Sequence, residues 1–325
     1  MIDGAASATA AKDALDSGAV ALVGSSSLLD CAVNHTTWED NNIVSLQGTG
    51  VDSFCFGTPN IASANTGPYF DMAATLYDGS ENLGYKDICA LLVIDDEVGK
   101  ANYYDVIANW EDATGNKISY VDDTLVRGQA SYAANISNLK SAKCDAIVAN
   151  EVGVADAAMI AEASNQGLSL PFLLLTSAYS DEFAASVNYA GPISLPAEFA
   201  PYTDASDTST TEWRAVMDAH NVPATSFAQG GFLAAHYFIT ILETIDGDVT
   251  RDSFTEAARA MTEPYTGVGS DMTGTPWVFG EGDSHQPNSA AWPLIIEPNT
   301  QTWVSVGPWL TGDQIGFKPF AVPAS

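Results

Sequence analysis

Positive charge is scarce in this chain: 11 Lys and Arg stand against 41 Asp and Glu over 325 residues, a formal net charge of −30. A surface of that sign repels phosphate backbones and anionic lipid headgroups, so nucleic-acid binding and peripheral membrane binding are not expected. The acidity serves general solubility, in a salty medium that screens the self-repulsion, or it presents a patch to a particular partner. No apolar stretch approaches the roughly 20 residues that a membrane helix needs. Cysteine is limited to positions 31, 55, 89 and 144, with no C-x-x-C pair and no histidine pair at zinc-ligand spacing, which argues against a structural metal site. There is no Walker loop and no G-x-G-x-x-G, so no nucleotide cofactor is expected, and no other cofactor is implied. The start, "MIDGAASATAAKDALDSG", lacks the basic residues and apolar segment of a leader: either the chain is cytoplasmic or its beginning lies upstream.

Apolar residues are abundant enough, at 46%, to argue against disorder, and the length suits two lobes, each with its own core. Residues 141–177 show the organisation. Ala146-Ile147-Val148-Ala149 and Phe172-Leu173-Leu174-Leu175 are short continuous apolar runs, the pattern of strands covered on both faces. Between them, small residues at helical spacing end at Asn165-Gln166-Gly167. The unit reads as a right-handed crossover between parallel strands, and ligands of such sheets sit at the carboxyl ends, here Asn150–Gly153 and Thr176–Tyr179.

Similar units precede it. Strands are expected at 19–23, ending in Gly24-Ser25-Ser26-Ser27 with a helix to Trp38, and at 43–46, ending in Gln47-Gly48-Thr49-Gly50. An extended piece near Phe54-Cys55-Phe56 and a helix over roughly 69–77 follow, then strand, helix and strand through "KDICALLVIDDEVGKANYYDVIANWEDATGNKISYVDDTL". The fold class is therefore α/β and doubly wound. Past residue 191 come the strand "GPISLPAEFAP", a polar crossing, an apolar helix in "SFAQGGFLAAHYFITILETI" and an amphipathic one capped near Thr250 or Asp252. The tail reads as antiparallel strands with turns at 280–283 and 297–300. If the strands opened by Cys89 and Cys144 are neighbours, their thiols lie side by side and can bridge; the alternative is two buried free thiols.

Catalytic patterns are weak. "GSSSLLD" lacks the spacing of a nucleophile turn, and His35, His220, His236 and His285 are scattered, with His236 inside an apolar helix. Asp95-Asp96-Glu97 at a strand end offers oxygens to a hard cation, the basis of an alternative metal-assisted enzyme, although adjacent acids there more often make a solvated edge or touch a solute. No catalytic residue and no metal ligand is assigned.

The series "ALVGSSS", "IVSLQGTG", "ICALLVIDDEVGKANY", "CDAIVANEVG", "AEASNQGLSLPFLLLTS" and "GPISLPAEFAP" resembles the type I periplasmic solute-binding proteins, and among them the branched-chain amino acid and amide-binding group of ABC importers. The resemblance runs along almost the whole chain. It implies two Rossmann-like lobes joined by a three-segment hinge, over 1–82 with 203–290 and over 83–202 with 291–325. It further implies a non-enzymatic monomer that traps a small polar solute by hinge closure and docks on a membrane permease, in the periplasm or outside the cell, with or without a lipid anchor. A ligand sensor of the same fold is the alternative. Implied first-lobe contacts fall on Ser25, Ser26, Ser27, Gly48, Thr49, Gly50 and Phe227, and second-lobe contacts on Glu97, Val98, Glu151, Val152, Thr176, Ser177 and Tyr179. No acid stands in the Thr176-Ser177 loop where amino-acid-binding relatives hold the ammonium, and Val98 replaces a frequent tyrosine; Glu151 is the neighbouring acid that would substitute. Relatives also begin with a strand, a helix and another strand, about 60 residues that are expected upstream of Met1 together with the leader. A first-lobe disulfide of relatives suggests a bridge between Cys31 and Cys55 as well.

Overall fold

The computed structural model describes residues 3–204, 206–286 and 288–319. Two compact units share the chain: one takes the described residues up to Gly67 and Thr208–Ser289, the other Pro68–Asp207 and Ala290–Lys318. The division falls at 67 and 207, where the sequence suggested 82 and 202, because residues 68–82 form a helical segment that packs inside the second unit.

The first unit opens with α1 (Gly4–Asp16), β1 (Ala21–Ser25), α2 (Asp30–Asp40), β2 (Val44–Gln47), α3 (Phe54–Gly57) and β3 (Ile61–Ser63). The chain then builds the second unit through α4 (Pro68–Tyr77), β4 (Ile88–Val93), α5 (Glu97–Thr114), β5 (Tyr120–Leu125), α6 (Ala133–Leu139), β6 (Ala146–Ala149), α7 (Gly153–Asn165), β7 (Phe172–Leu173), α8 (Asp181–Ser186) and β8 (Ile193–Ala197). It returns to the first unit for α9 (Thr211–His220), α10 (Ser226–Leu242) and α11 (Arg251–Ala260). It ends in the second with β9 (Ala290–Glu297), β10 (Thr302–Ser305), β11 (Leu310–Thr311) and α12 (Gly312–Ile315).

In the first unit β1, β2 and β3 form a parallel sheet in that order. Leu22, Ser45 and Ile61 share a register row, so β2 alternates: Val44 and Leu46 point one way, Ser45 and Gln47 the other. Ala11, Cys31, Trp38, Ile43, Cys55, Phe56 and Ile61 form a buried core there. The extended piece expected near Cys55 is instead helical: Asp52 accepts the Phe54 and Cys55 N–H groups, a cap that starts a turn of helix, and Cys55 is bonded to Cys31.

In the second unit the order is β10-β9-β8-β7-β6-β4-β5, parallel from β8 to β5 and antiparallel at β9 and β10, with β11 also on β9. All six residues of β4 and all four of β6 are buried, as their continuous apolar runs require. The crossover through α7 ends with Gly167 at φ +71°. Cys89 in β4 is bonded to Cys144 just before β6. By loop-closure entropy the two bridges, with sequence separations of 24 and 55, contribute on the order of 3 and 4 kcal/mol. The tail hairpin turns at 298–301 between β9 and β10, whereas no strand forms among the described residues of 274–289. Trp277 there is buried, stacked on Tyr237 at 3.8 Å between ring centres, and bonded to the Ser63 carbonyl. Among the described residues no helix is long and apolar enough to cross a membrane.

Candidate functional site

In the second unit, β4 leads on one side to β5 and β6 pairs with β4 on the other, so the sheet changes winding direction between β4 and β6. The crevice at the carboxyl ends of such a pair is where open α/β sheets bind ligands. Asn150 bridges it, donating to the Val93 carbonyl at 3.0 Å and accepting the Val93 N–H at 2.7 Å. Around this bridge stand charged groups from three strand ends. Asp95, after β4, receives the Arg127 guanidinium, which follows β5, through Nη2 at 2.6 Å and Nε at 3.2 Å. The third Arg127 nitrogen, Nη1, lies 3.7 Å from Glu151, which follows β6. Burial works against the Arg127 charge, but Asp95, Tyr103 and Glu151 outweigh it and push the guanidinium pKa up.

Glu151 is only 1% exposed. Its carboxylate accepts the Gly128 N–H at 2.9 Å, the Tyr132 hydroxyl at 2.9 Å and the Val152 N–H at 3.2 Å. The acid that would replace an ammonium ligand is thus engaged by internal donors, and its backbone carbonyl accepts the Ser177 hydroxyl at 3.1 Å. Asp96 caps α5 by accepting the Gly99 N–H at 2.7 Å, while Glu97 is exposed in the first turn and Val98 half-buried. Val152 is 37% exposed at the cap of α7. Thr176 donates its N–H to Asp71 at 2.9 Å, and its hydroxyl accepts the Glu198 N–H at 3.4 Å. Tyr179 is buried, stacked on Tyr202 and hydrogen-bonded to Thr203, which makes it a wall of the loop.

In the first unit the strand ends carry hydroxyls and amides. Ser25 donates to Asp30 at 2.9 Å, and its carbonyl accepts the N–H groups of Gly48 and Thr49. Asp30 also accepts Gln47 and Asn34, each at 2.9 Å. Asn65 clamps Gly50 from both sides, accepting its N–H at 2.7 Å and donating to its carbonyl at 3.1 Å. Two neighbours differ: the Ser27 and Thr49 hydroxyl oxygens are buried and have no hydrogen-bond partner. An unmatched buried hydroxyl costs free energy, and Gln47, Ser53 and Ser63 of the same unit also carry buried side-chain oxygens without a partner. Ser26 and Phe227 are exposed, Phe227 by 45%. The three potential ligand residues drawn within 4.8 Å among the described residues, Cys31, Asp52 and Cys55, include two sulfurs already bonded to each other.

A sequence profile described as periplasmic binding protein matches residues 3–300. The chain belongs to the periplasmic binding protein family. A comparison with curated proteins returns no match. Among solved structures, this periplasmic binding protein is similar to a leucine-binding protein from Thermotoga maritima, at 15% identity and TM-score 0.76, over 96% of this chain and 85% of that one. It is similar to a branched-chain amino acid ABC transporter protein from Thermus thermophilus with bound valine, at 14% and 0.77, over 96% and 84%. A solute-binding protein from R. palustris in complex with 4-hydroxybenzoate matches at 9% and 0.77, also over 96% and 84%. At these identities the likeness establishes the fold, which agrees with the α/β reading of the sequence.

Asn150 lies at the strand end the sequence singled out, but several other residues of this periplasmic binding protein's strand ends were not singled out: Arg127, Tyr132, Asp156 and, in the first unit, Asp30 and Asn65. Of these, Arg127 had a usable cue, as one of four arginines in an acidic chain and directly beyond an expected strand.

Proposed function

We propose that the protein is the extracytoplasmic solute-binding component of an ABC importer and captures a small polar solute, amino-acid-like or amide-like, by the closure expected of its family. The observation that carries this reading is the pair of buried hydroxyls, Ser27 and Thr49, left without partners at the ends of parallel strands in a periplasmic binding protein. Hydroxyls and backbone amides at such loops suit a carboxylate or amide oxygen. The proposed contacts are Ser26, Ser27, Thr49 and Phe227 in the first unit, and Glu97, Val98, Val152 and Ser177 in the second. Ser25, Gly48, Gly50, Glu151, Thr176 and Tyr179 support these loops through the bonds and packing already described. The proposed docking partner is a membrane permease.

A thermal-shift screen against amino acids, amides, polyamines and small carboxylates tests the reading. A solute that binds the native state raises the midpoint with concentration, by mass action. A folded protein that responds to no solute of the panel, with no saturable binding by calorimetry, overturns it.

A further inference from the structure

The strand-end cluster of the second unit contains one acid that is satisfied by nothing around it. Asp156, in the first turn of α7, is completely buried, and neither of its carboxyl oxygens has a hydrogen-bond partner. The charges that bear on it are Glu151 from the end of β6 and Arg127 from the turn after β5. Tyr132, at the cap of α6, feels both Asp156 and Glu151 and gives its hydroxyl to Glu151. Arg127 in turn is held by Asp95 beyond β4. The start of α7 favours a negative charge, but a helix terminus recovers only a small part of what an unpaired buried carboxylate loses on leaving water. Burial first, and then the Glu151 charge, hold the Asp156 carboxyl well above the ordinary range, against the opposing pull of Arg127.

We propose that Asp156 is a proton-binding site of the second unit, and that losing its proton loosens the turn that fastens Arg127 and Gly128 to Glu151. With Asp156 neutral, Glu151 is the one buried negative charge beside the guanidinium. With Asp156 ionised, two buried carboxylates compete for a guanidinium whose other side Asp95 already occupies. The segment least able to resist is the turn itself. Val126 is 66% exposed, Gly128 sits at φ +63°, and the turn is otherwise closed by local bonds between Val126 and Gln129. Glu151 also orders the Val152 N–H and receives the Ser177 hydroxyl, so the same event reaches two proposed solute contacts. That last consequence, pH-dependent capture, rests on the proposed function; the proton site does not.

The sign follows from linkage. A folded-state pKa above the unfolded one means that the native state binds the extra proton, so the contribution of Asp156 is complete in acid and is lost as pH rises through its folded value. The test uses the full chain without any solute. Carbon-13 NMR of the wild-type protein, with the Asp156 carboxyl assigned through its own backbone, reads the protonation state directly. Hydrogen exchange then follows protection of the Gly128 amide from about pH 4 to about pH 9, in the wild type and in Asp156→Asn, which keeps the shape of the neutral acid. We expect a protonated Asp156 carboxyl at neutral pH. Wild-type Gly128 protection should fall about tenfold or more on ionisation and stay flat in Asp156→Asn, because each tenfold step reflects one pKa unit of coupling. An ionised Asp156 at neutral pH overturns the proposal, as does an unchanged pH profile of Gly128 in Asp156→Asn. Because no solute is present, these outcomes are independent of whether the protein proves to be a transport component.

Discussion

Gly230 in α10 lies so close to Gly48 that a β-carbon built on it would overlap the Gly48 carbonyl oxygen, and a β-carbon on Gly48 would stand 3.0 Å from the Gly231 nitrogen. Helix α10 therefore rests on the end of β2 through bare backbone, at the loop that presents Thr49. Both obstacles are main-chain atoms and cannot swing aside as a flexible side chain would. Gly230→Ala is expected to destabilise the first unit by about 2 kcal/mol or more, read as a lower urea midpoint. Gly231→Ala meets nothing within 4 Å and should be neutral or stabilising by up to about 1 kcal/mol, since alanine favours a helix. Equal effects of the two substitutions would contradict the close packing.

Thr49→Val removes a hydroxyl while keeping the shape of the side chain. In a protein where that hydroxyl served a structural bond, the change would cost stability. Here the oxygen is buried without a partner, so the unfolding midpoint should hold or rise. Affinity for the solute found by screening should fall about tenfold, the equivalent of one lost hydrogen bond, measured by calorimetry. Affinity equal to that of the wild type would remove Thr49 from the contact surface.

The strands of the second unit and their succession along the chain were legible because β4, β6 and β7 must be apolar on both faces, and a sheet covered by helices leaves that run in the sequence. Phe54-Cys55-Phe56 misled, since aromatic residues favour strands; the carboxylate of Asp52, which starts the helix, acts through geometry that spacing does not reveal. The alternation around Trp277 misled in the same way, because its ring is buried by Tyr237 and not by a neighbouring strand. At only three residues, β3 is too short to carry a period. The strand-end loops could be placed, but which of their side chains face inward bonds and which are left over could not. Ser25 and Ser27 are the same residue type two positions apart, one bonded to Asp30 and the other unmatched. Asp156 sits at an ordinary helical position, and its burial is a product of the surrounding fold alone.

Arg127 joins three strand ends, so its removal should be costly. Arg127→Ala leaves Glu151 buried without its nearest cation, a loss of about 3 kcal/mol by analogy with broken buried pairs. Arg127→Lys keeps the charge but not the planar fork that meets Asp95 through two nitrogens, and should recover only part of it. Thermal unfolding of the three proteins checks the order wild type, Lys, Ala. A lysine variant as stable as the wild type would show that charge, and not the fork, holds the cluster.

Salt should raise stability. With 41 acids and 11 Lys and Arg, at least 30 carboxyl groups have no cation of their own, and the native state gathers them on a smaller surface than the unfolded chain does. Ion pairs such as Lys12–Asp16 and Lys117–Glu111 involve exposed lysines and contribute little to begin with, so screening them loses little. Screening the repulsion therefore outweighs the loss of those pairs, and most of the effect should come between low salt and about 0.5 M, as the screening length shrinks from about 30 Å at 0.01 M toward a few Å. The unfolding midpoint measured across a sodium chloride series should climb and then level off. Chloride is preferred to sulfate for this test because sulfate also strengthens apolar burial and would raise the midpoint in a protein of any charge. A midpoint that falls with chloride would mean that the few ion pairs, Arg127 with Asp95 and Glu151 above all, outweigh the repulsion among thirty unmatched acids.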